Sequence, residues 1–547
     1  RLVDVVFGPT RPVLWLLTAA VFLVLLVACV NVANLLLARG AARAREVAVR
    51  TALGAGFSRL GRQFLTEALL LALAGAVVGV GFAYGGLALL VALAPNDIPR
   101  LGEVGIDGRV LAVTLAVTVA VGGGFGLVPT LQAAGLDVLG LVRAEGRGLT
   151  AGRTRRRGRD ALVVAELALS VVLVVGAGLL IRSFQTVLAV HPGFEAAGVL
   201  KAQYQLPATR YPRDFSRFPD WTEIQAFHAG VLERARRVPG VESVAIAAAH
   251  PLDAGFTNSF LIVGREAEAR DWPEITVRGV SADYFATMGV AIQRGRGFDG
   301  TDQPRSPAVA LINEEAATRF FADRDPLGQE ISFWGIRRRI VGVVGNERVR
   351  GLTEPAPPAV YVAITQVPPS DGVVLVKTAD PARLGPAIRA AVAAGDPALS
   401  VFGVEPLART MSDSVAQRRF AMMVLGAFAA VGLALALIGV YGVVTYTTSL
   451  RLRELGIRAA LGAGRGEVVS LVVGEGGRLA AAGIALGWLG ALAVSRLLTS
   501  LLYGVSTVDP LTFGLVPLLV LLAAIAATWV PAWRAGRVSP VEALRLE

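Results

Sequence analysis

The sequence is poor in the side chains on which metal and thiol chemistry depend. It has one cysteine, Cys29, and three histidines, His191, His228 and His250, in 547 residues. A single cysteine excludes an intrachain disulfide and a cysteine zinc site, and the histidines are too far apart to form a metal motif. No metal or cofactor is expected. Charge is scarce too, at 17% of residues against about 25% in soluble domains. Lysine is nearly absent, since Lys201 and Lys377 are the only two and Arg supplies every other basic residue. A composition that is 54% hydrophobic excludes an ordinary soluble enzyme.

What is abundant is long apolar sequence. A membrane span needs about 20 mostly apolar residues, and seven runs qualify: 13 to 38, 65 to 95, 109 to 134, 161 to 182, 419 to 447, 468 to 500 and 511 to 532. The bilayer is therefore the first partner. The formal charge of +11 fits either a nucleic-acid binder or basic loops beside a membrane. Position decides for the membrane. Arg39, Arg43, Arg45, Arg50, Arg59 and Arg62 follow the first span against one acid, Glu46. A second Arg-rich loop lies between the third and fourth spans, a third runs from Arg451 to Arg465, and the tail carries Arg534, Arg537 and Arg545. These alternate consistently as cytoplasmic, which places 96 to 108, 501 to 510 and the long insert 183 to 418 outside. No nucleic-acid partner is implied.

The insert holds both lysines and all three histidines and reads as a soluble α+β domain. Strands are expected at 243 to 247, 275 to 280, 308 to 312, 340 to 344, 360 to 362 and 373 to 376, and helices at 222 to 237, 313 to 321 and 381 to 394.

An internal repeat organises the chain. Residues 45 to 56 read REVAVRTALGAG and residues 453 to 464 read RELGIRAALGAG. At the same offset Glu67 falls on Glu475, Gly75 on Gly483 and Gly79 on Gly487, and farther on Pro129 matches Pro531. Spans one to three and five to seven are thus copies of one unit in parallel orientation. In each repeated loop Glu46 and Arg50, or Glu454 and Arg458, are four apart and pair on one helix face. Gly54 or Gly462 suits a left-handed helix end. The loop reads either as a solvated connector or as a docking surface, and its recurrence in both copies favours docking. The pairs Gly75/Gly79 and Gly483/Gly487 have the spacing of close helix contacts. Asn31, Asn34, Glu67, Glu166 and Glu475 fall near inner span ends, where structural roles are expected, and no polar row crosses a span. The nearest approach to a phosphate-binding loop, GVVLVKT at 372 to 378, is too short and lies outside. No ATP-binding motif is present, so the chain is not read as an enzyme.

At these residues the sequence resembles the FtsX-like permeases, which include the membrane parts of the macrolide exporter MacB and of lipoprotein-releasing transporters. The carrying segments are the two REx3RxALGAG loops, VVAELALSVVLVVGAGLLIRSF at 163 to 184, YFATMGVAIQRGRGF at 284 to 298, DPLGQEI at 325 to 331, IVGVVGNERVRGL at 340 to 352 and IGVYGVVTY at 438 to 446. The duplication is similar to the orphan (ADOP-type) permeases of acidobacteria and related bacteria. The resemblance implies a multispanning α-helical inner-membrane protein with an inserted periplasmic α+β domain of the MacB type. It divides the chain into a first permease repeat at 1 to 135, an Arg-rich linker at 136 to 160, a span at 161 to 182, a periplasmic domain at 183 to 418 and a second repeat at 419 to 547. Residues 161 to 547 would be one complete unit, and 1 to 135 a unit without its first span and periplasmic domain. With Arg1 in place of a Met, the chain reads as a fragment. The resemblance further implies that Glu46, Arg50, Leu53 and Gly54, and equally Glu454, Arg458, Leu461 and Gly462, dock a cytoplasmic ABC ATPase, and that the two repeats pair within one chain. It implies coupling by mechanotransmission. The alternative is a membrane-anchored regulator or orphan scaffold that controls a periplasmic partner, such as a cell-wall hydrolase, without an ATPase.

Overall fold

The computed structural model describes residues 11–42, 50, 56–93, 104–134, 149–214, 218–461 and 463–537. It divides into two compact units, one of residues 1–186 and 418–547 and the other of 187–417.

The first unit is helical. Its elements are α1 (Arg11–Ala42), α2 (Phe57–Leu93), α3 (Gly108–Ala134) and α4 (Leu149–Leu188). After the insert come α10 (Ala416–Leu450), α11 (Leu452–Ala460), α12 (Arg465–Leu497) and α13 (Pro510–Ala535). Each apolar run read as a span coincides over most of its described length with one helix, and the run 468 to 500 outlasts its helix by three residues. Among the described residues six of these helices are long and apolar enough to cross a membrane, and α3 adds a shorter apolar stretch, Gly108–Gly124. Helix α13 starts where Asp509 accepts the Thr512 N–H at 2.9 Å, with Pro510 at the first helical position, where its missing N–H costs nothing.

Helix α4 lies at the centre of its unit. Its most apolar window is 56% buried, against 6% for α2. Val163, Leu167, Val171, Val175 and Leu179 pack with Ala436 and Val440 of α10, Val472, Ala480 and Ala491 of α12, and Phe513, Val516 and Val520 of α13. Ala20 of α1 joins Leu173 and Ala177 of α4 and Leu425 and Ala429 of α10, and the Asn31 amide donates to Leu435 O at 2.6 Å. Glu166, expected near the inner end of its span, packs inside the bundle. It is fully buried, and its carboxylate lies against Gly439 of α10, where a side chain would collide with it.

The second unit contains β1 (Val199–Gln205), α5 (Thr222–Arg236), β2 (Val241–Ala247), β3 (Phe256–Asn258), β4 (Leu261–Ile262), β5 (Ile275–Val280), α6 (Tyr284–Met288), β6 (Ile292–Gly295), β7 (Val309–Asn313), α7 (Glu314–Phe320), β8 (Glu330–Phe333), β9 (Ile336–Val344), β10 (Ala359–Ala363), β11 (Asp371–Thr378), α8 (Pro381–Ala393), β12 (Ser400–Pro406) and α9 (Leu407–Ser414). The strands form one mixed sheet in the order β12-β1-β11-β2-β5-β10-β7-β9-β8-β4, with β3 on β5 and β6 on β9. Alternation along β11 separates two cores, as the pleat requires. Val374 and Val376 face one with Trp221, Ile224 and Val231, and Val373 and Leu375 face the other with Tyr284, Phe285 and Met288. Two of this unit's helices, α7 and α8, begin at side-chain caps: Asn313 accepts the Ala316 N–H at 3.0 Å and Asp380 the Arg383 N–H at 3.2 Å.

Candidate functional site

The repeated loop is best seen in its second copy. Helix α11 is short and amphipathic and is held by Leu455, which is buried with Val468 and Ala535. Arg458 pairs with Glu454 at 2.9 Å, one turn apart and half exposed. Arg451 reaches both Glu454 (3.9 Å) and Glu475 of α12 (3.2 Å), which ties the helix to the span that follows. The next helix starts at Gly464, whose N–H donates to the Glu467 carboxylate at 3.2 Å. One side is therefore fixed to the bundle.

The other side carries exposed apolar groups. Ile457 is 44% and Leu461 83% exposed, one turn apart and beside the Glu454–Arg458 pair. An isolated connector gains nothing from presenting two branched aliphatic side chains to water; burying such a pair against a partner is worth about 1.5–3 kcal/mol per side chain. In the first copy Arg50 donates to Gln63 at 3.1 Å, and Gln63 to Glu67 at 3.2 Å, so the loop arginine again reaches the following helix. Glu46, Leu53, Gly54 and Gly462 lie outside the described residues.

The glycine pairs differ between copies. A Cβ built on Gly483 would stand 2.7 Å from Leu167 Cβ and 3.0 Å from Val164 O, and one on Gly487 2.7 Å from Ala168 O. Both glycines therefore let α12 approach α4 at backbone distance. Among the described residues a Cβ on Gly75 or Gly79 would meet nothing within 4 Å.

In the inserted domain a buried polar group was missed by sequence reasoning. Glu347, 2% exposed, accepts from Tyr284 Oη at 2.8 Å and Tyr361 Oη at 2.6 Å, and Arg278 Nη1 donates to Tyr284 Oη at 3.4 Å. Burial works against the Arg278 charge, but Tyr284, Glu347 and Tyr361 more than offset it and hold its pKa above the ordinary value. No local motif announces this group, because its members come from β5, α6, the segment after β9, and β10.

Comparison with known proteins follows the same division. The model of the FtsX-like permease C-terminal family matches residues 18–138 and 426–540, and that of the MacB-like periplasmic core domain matches 161–394. The chain is 36% identical over 121 residues to the uncharacterized ABC transporter permease YknZ of Bacillus subtilis, covering 22% of this chain and 29% of that one. It is 26% identical over 294 residues to the macrolide export ATP-binding/permease protein MacB of Agrobacterium fabrum, covering 49% and 43%. Among solved structures it is similar to the periplasmic region of MacB from Actinobacillus actinomycetemcomitans, at 16% identity and a TM-score of 0.28 over 42% of this chain and 98% of that one. Each curated match spans less than half of the relative's own length. The two family models fall on the two repeats and on the domain between them, so the chain belongs to the FtsX-like permease family with a MacB-like periplasmic core domain, as a multi-pass inner-membrane protein whose insert faces the periplasm.

Proposed function

We propose that this chain is the permease subunit of an ABC-type transporter that works by mechanotransmission. A separate cytoplasmic ATPase seats on α11 and on the matching loop of the first repeat. Its ATP-driven closure moves the spans and reshapes the periplasmic domain, which exports or extracts an envelope substrate such as a peptide, lipoprotein or antibiotic. In this reading 1 to 135 and 419 to 547 are the two permease repeats and supply the two seats that an ATPase dimer requires.

One observation carries the proposal: α11 is anchored by Leu455 and Arg451 on one side and presents Ile457 and Leu461 beside the Glu454–Arg458 pair on the other. The bond from Arg451 to Glu475 gives a rigid path from that surface into α12. The absence of a polar row across the spans is consistent with a substrate that does not cross them.

The test is affinity capture from native membranes with wild type and with Glu46→Arg and Glu454→Arg combined. Recovery of an ABC ATPase that the double variant loses is expected. Recovery of a periplasmic protein, such as a cell-wall hydrolase, with no ATPase in either sample would replace the motor reading with that of a membrane-anchored regulator or scaffold.

A further inference from the structure

The sheet of the periplasmic domain forks at β5. Strands β2 and β5 pair at Ala247 and Val280, supported by Ser281 N–H to Ile246 O and Ala248 N–H to Gly279 O, both 2.8 Å. Past that point the chain after β2 turns away, and β3 comes in to pair Phe256 with Val277. At the fork lies a half-open cavity of about 720 Å³, with Val277, Gly279 and Val362 in its lining. That volume is within the range of about 300–1,000 Å³ typical of small-molecule sites.

Two aromatic rings form one wall. Phe256 and Trp334 have centroids 6.0 Å apart, inclined by 35°. Phe256 is 54% exposed, although it is a large apolar side chain on a short edge strand. Trp334 occupies the tip of the β8–β9 hairpin with φ +55°, followed by Gly335 at φ +72°. A two-residue turn with both φ positive favours Asn-Gly, and a bulky residue there costs about 1–2 kcal/mol. The second non-glycine residue with positive φ, Leu252 at +72°, stands in the segment leading to Phe256 on the other side of the fork. Strain of this kind persists where a side chain is needed for something other than folding. Arg338 braces the tip from within, 4.1 Å above the Phe333 ring and 5.6 Å from that of Trp334.

The charges around the cavity are unequal in availability. Arg278 is fully buried; it donates to Asp253 O at 2.8 Å and to Tyr284, with Glu347 beneath answering its charge. Arg213 lies over the Trp221 ring at 5.9 Å and faces Asp371. Asp253 remains: its carboxylate receives the Gly255 N–H at 3.0 Å and keeps free acceptor capacity at the cavity edge.

We propose that the fork cavity binds a cationic amphiphile, with an ammonium group over the Phe256 and Trp334 faces, Asp253 as its counter-charge, and an apolar body on Val277 and Val362. Aromatic faces beside a carboxylate are the arrangement that selects amine cations over neutral or anionic molecules of the same shape. The site rests on the geometry of this domain alone and not on the motor reading, and its test involves no ATPase.

The test uses the full chain in phosphatidylcholine nanodiscs, labelled with fluorotryptophan, with the Trp334 fluorine resonance identified by its loss in Trp334→Phe. Benzyltrimethylammonium is expected to shift that resonance saturably, and benzyl alcohol and phenylacetate to bind about tenfold more weakly or not at all. Asp253→Asn is expected to weaken the cation about tenfold while leaving the unliganded resonance in place. Phe256→Leu, at an exposed position, should weaken it as well and serves where the first variant disturbs the fold. Equal or tighter binding of phenylacetate, no saturable shift, or unchanged affinity in both variants would overturn the assignment.

Discussion

Gly487 of α12 stands directly against the backbone of Ala168 in α4: a Cβ added to the glycine would sit 2.7 Å from the Ala168 carbonyl oxygen and 2.7 Å from Val171 Cβ. Neither neighbour is a flexible side-chain end, so the helices themselves must separate to admit one. Gly487→Val is therefore expected to destabilise the bundle by about 1–3 kcal/mol or more, the usual scale of overpacking. Gly79→Val, at the equivalent place in the first repeat, is expected to change little, because a Cβ there meets nothing within 4 Å among the described residues. Thermal unfolding of the two variants in detergent gives the comparison, and equal losses would refute it.

This pair also shows how far the sequence reaches. Both glycine pairs share one spacing, and spacing alone cannot report whether a helix lies opposite. The spans were legible because a long apolar run has few other uses, and β5 was read at its observed bounds because Ile275 to Val280 is a continuous β-rich run closed by turn residues. Strand β1 escaped because Lys201 interrupts its apolar pattern; the lysine is buried, and its ammonium is satisfied by Glu405 at 3.2 Å. Strand β12 carries Gly403 at φ +58°, which interrupts its regular extended pattern. The amphipathic loop helix was legible through its Glu and Arg spacing. Its exposed Ile457 and Leu461 required the structure, since exposure depends on what the rest of the chain leaves uncovered. Phe256 and Trp334 meet only through strand pairing and a hairpin tip, and no local pattern records that.

The Glu347 group makes a second prediction. Glu347 is buried under two tyrosine hydroxyls with Arg278 close by. Removing the acid alone leaves a buried guanidinium without its counter-charge, so Glu347→Ala is expected to cost the periplasmic domain about 3–5 kcal/mol. Replacing both charges by apolar side chains, Arg278→Met with Glu347→Leu, is expected to recover much of that loss, since neither charge is then left behind. Resistance of the domain to limited proteolysis ranks the three proteins. A double variant no better than the single one would show that the group acts through shape and not charge.

His228 gives the domain a pH dependence of defined sign. The ring is 2% exposed, packs edge-on to Phe227 and Tyr204, and among the described residues has no hydrogen-bond partner for either nitrogen. Burial pushes its pKa down to about 3. The unfolded chain has an ordinary histidine near pKa 6.5, so below that pH it binds a proton which the folded domain refuses. Stability is then full above about pH 6.5 and declines as pH falls, by about 2 kcal/mol between pH 7 and 5. His250, also lowered by burial, adds in the same direction. His228→Phe keeps the ring packing and removes two unpartnered nitrogens, a change that is close to neutral or stabilising at pH 7. Denaturant midpoints of the periplasmic domain at pH 7 and 5, followed by tryptophan fluorescence in the full chain, should fall less in the variant than in wild type. Identical falls in the two proteins would place the pH dependence elsewhere and mean that His228 finds a proton partner in the folded domain.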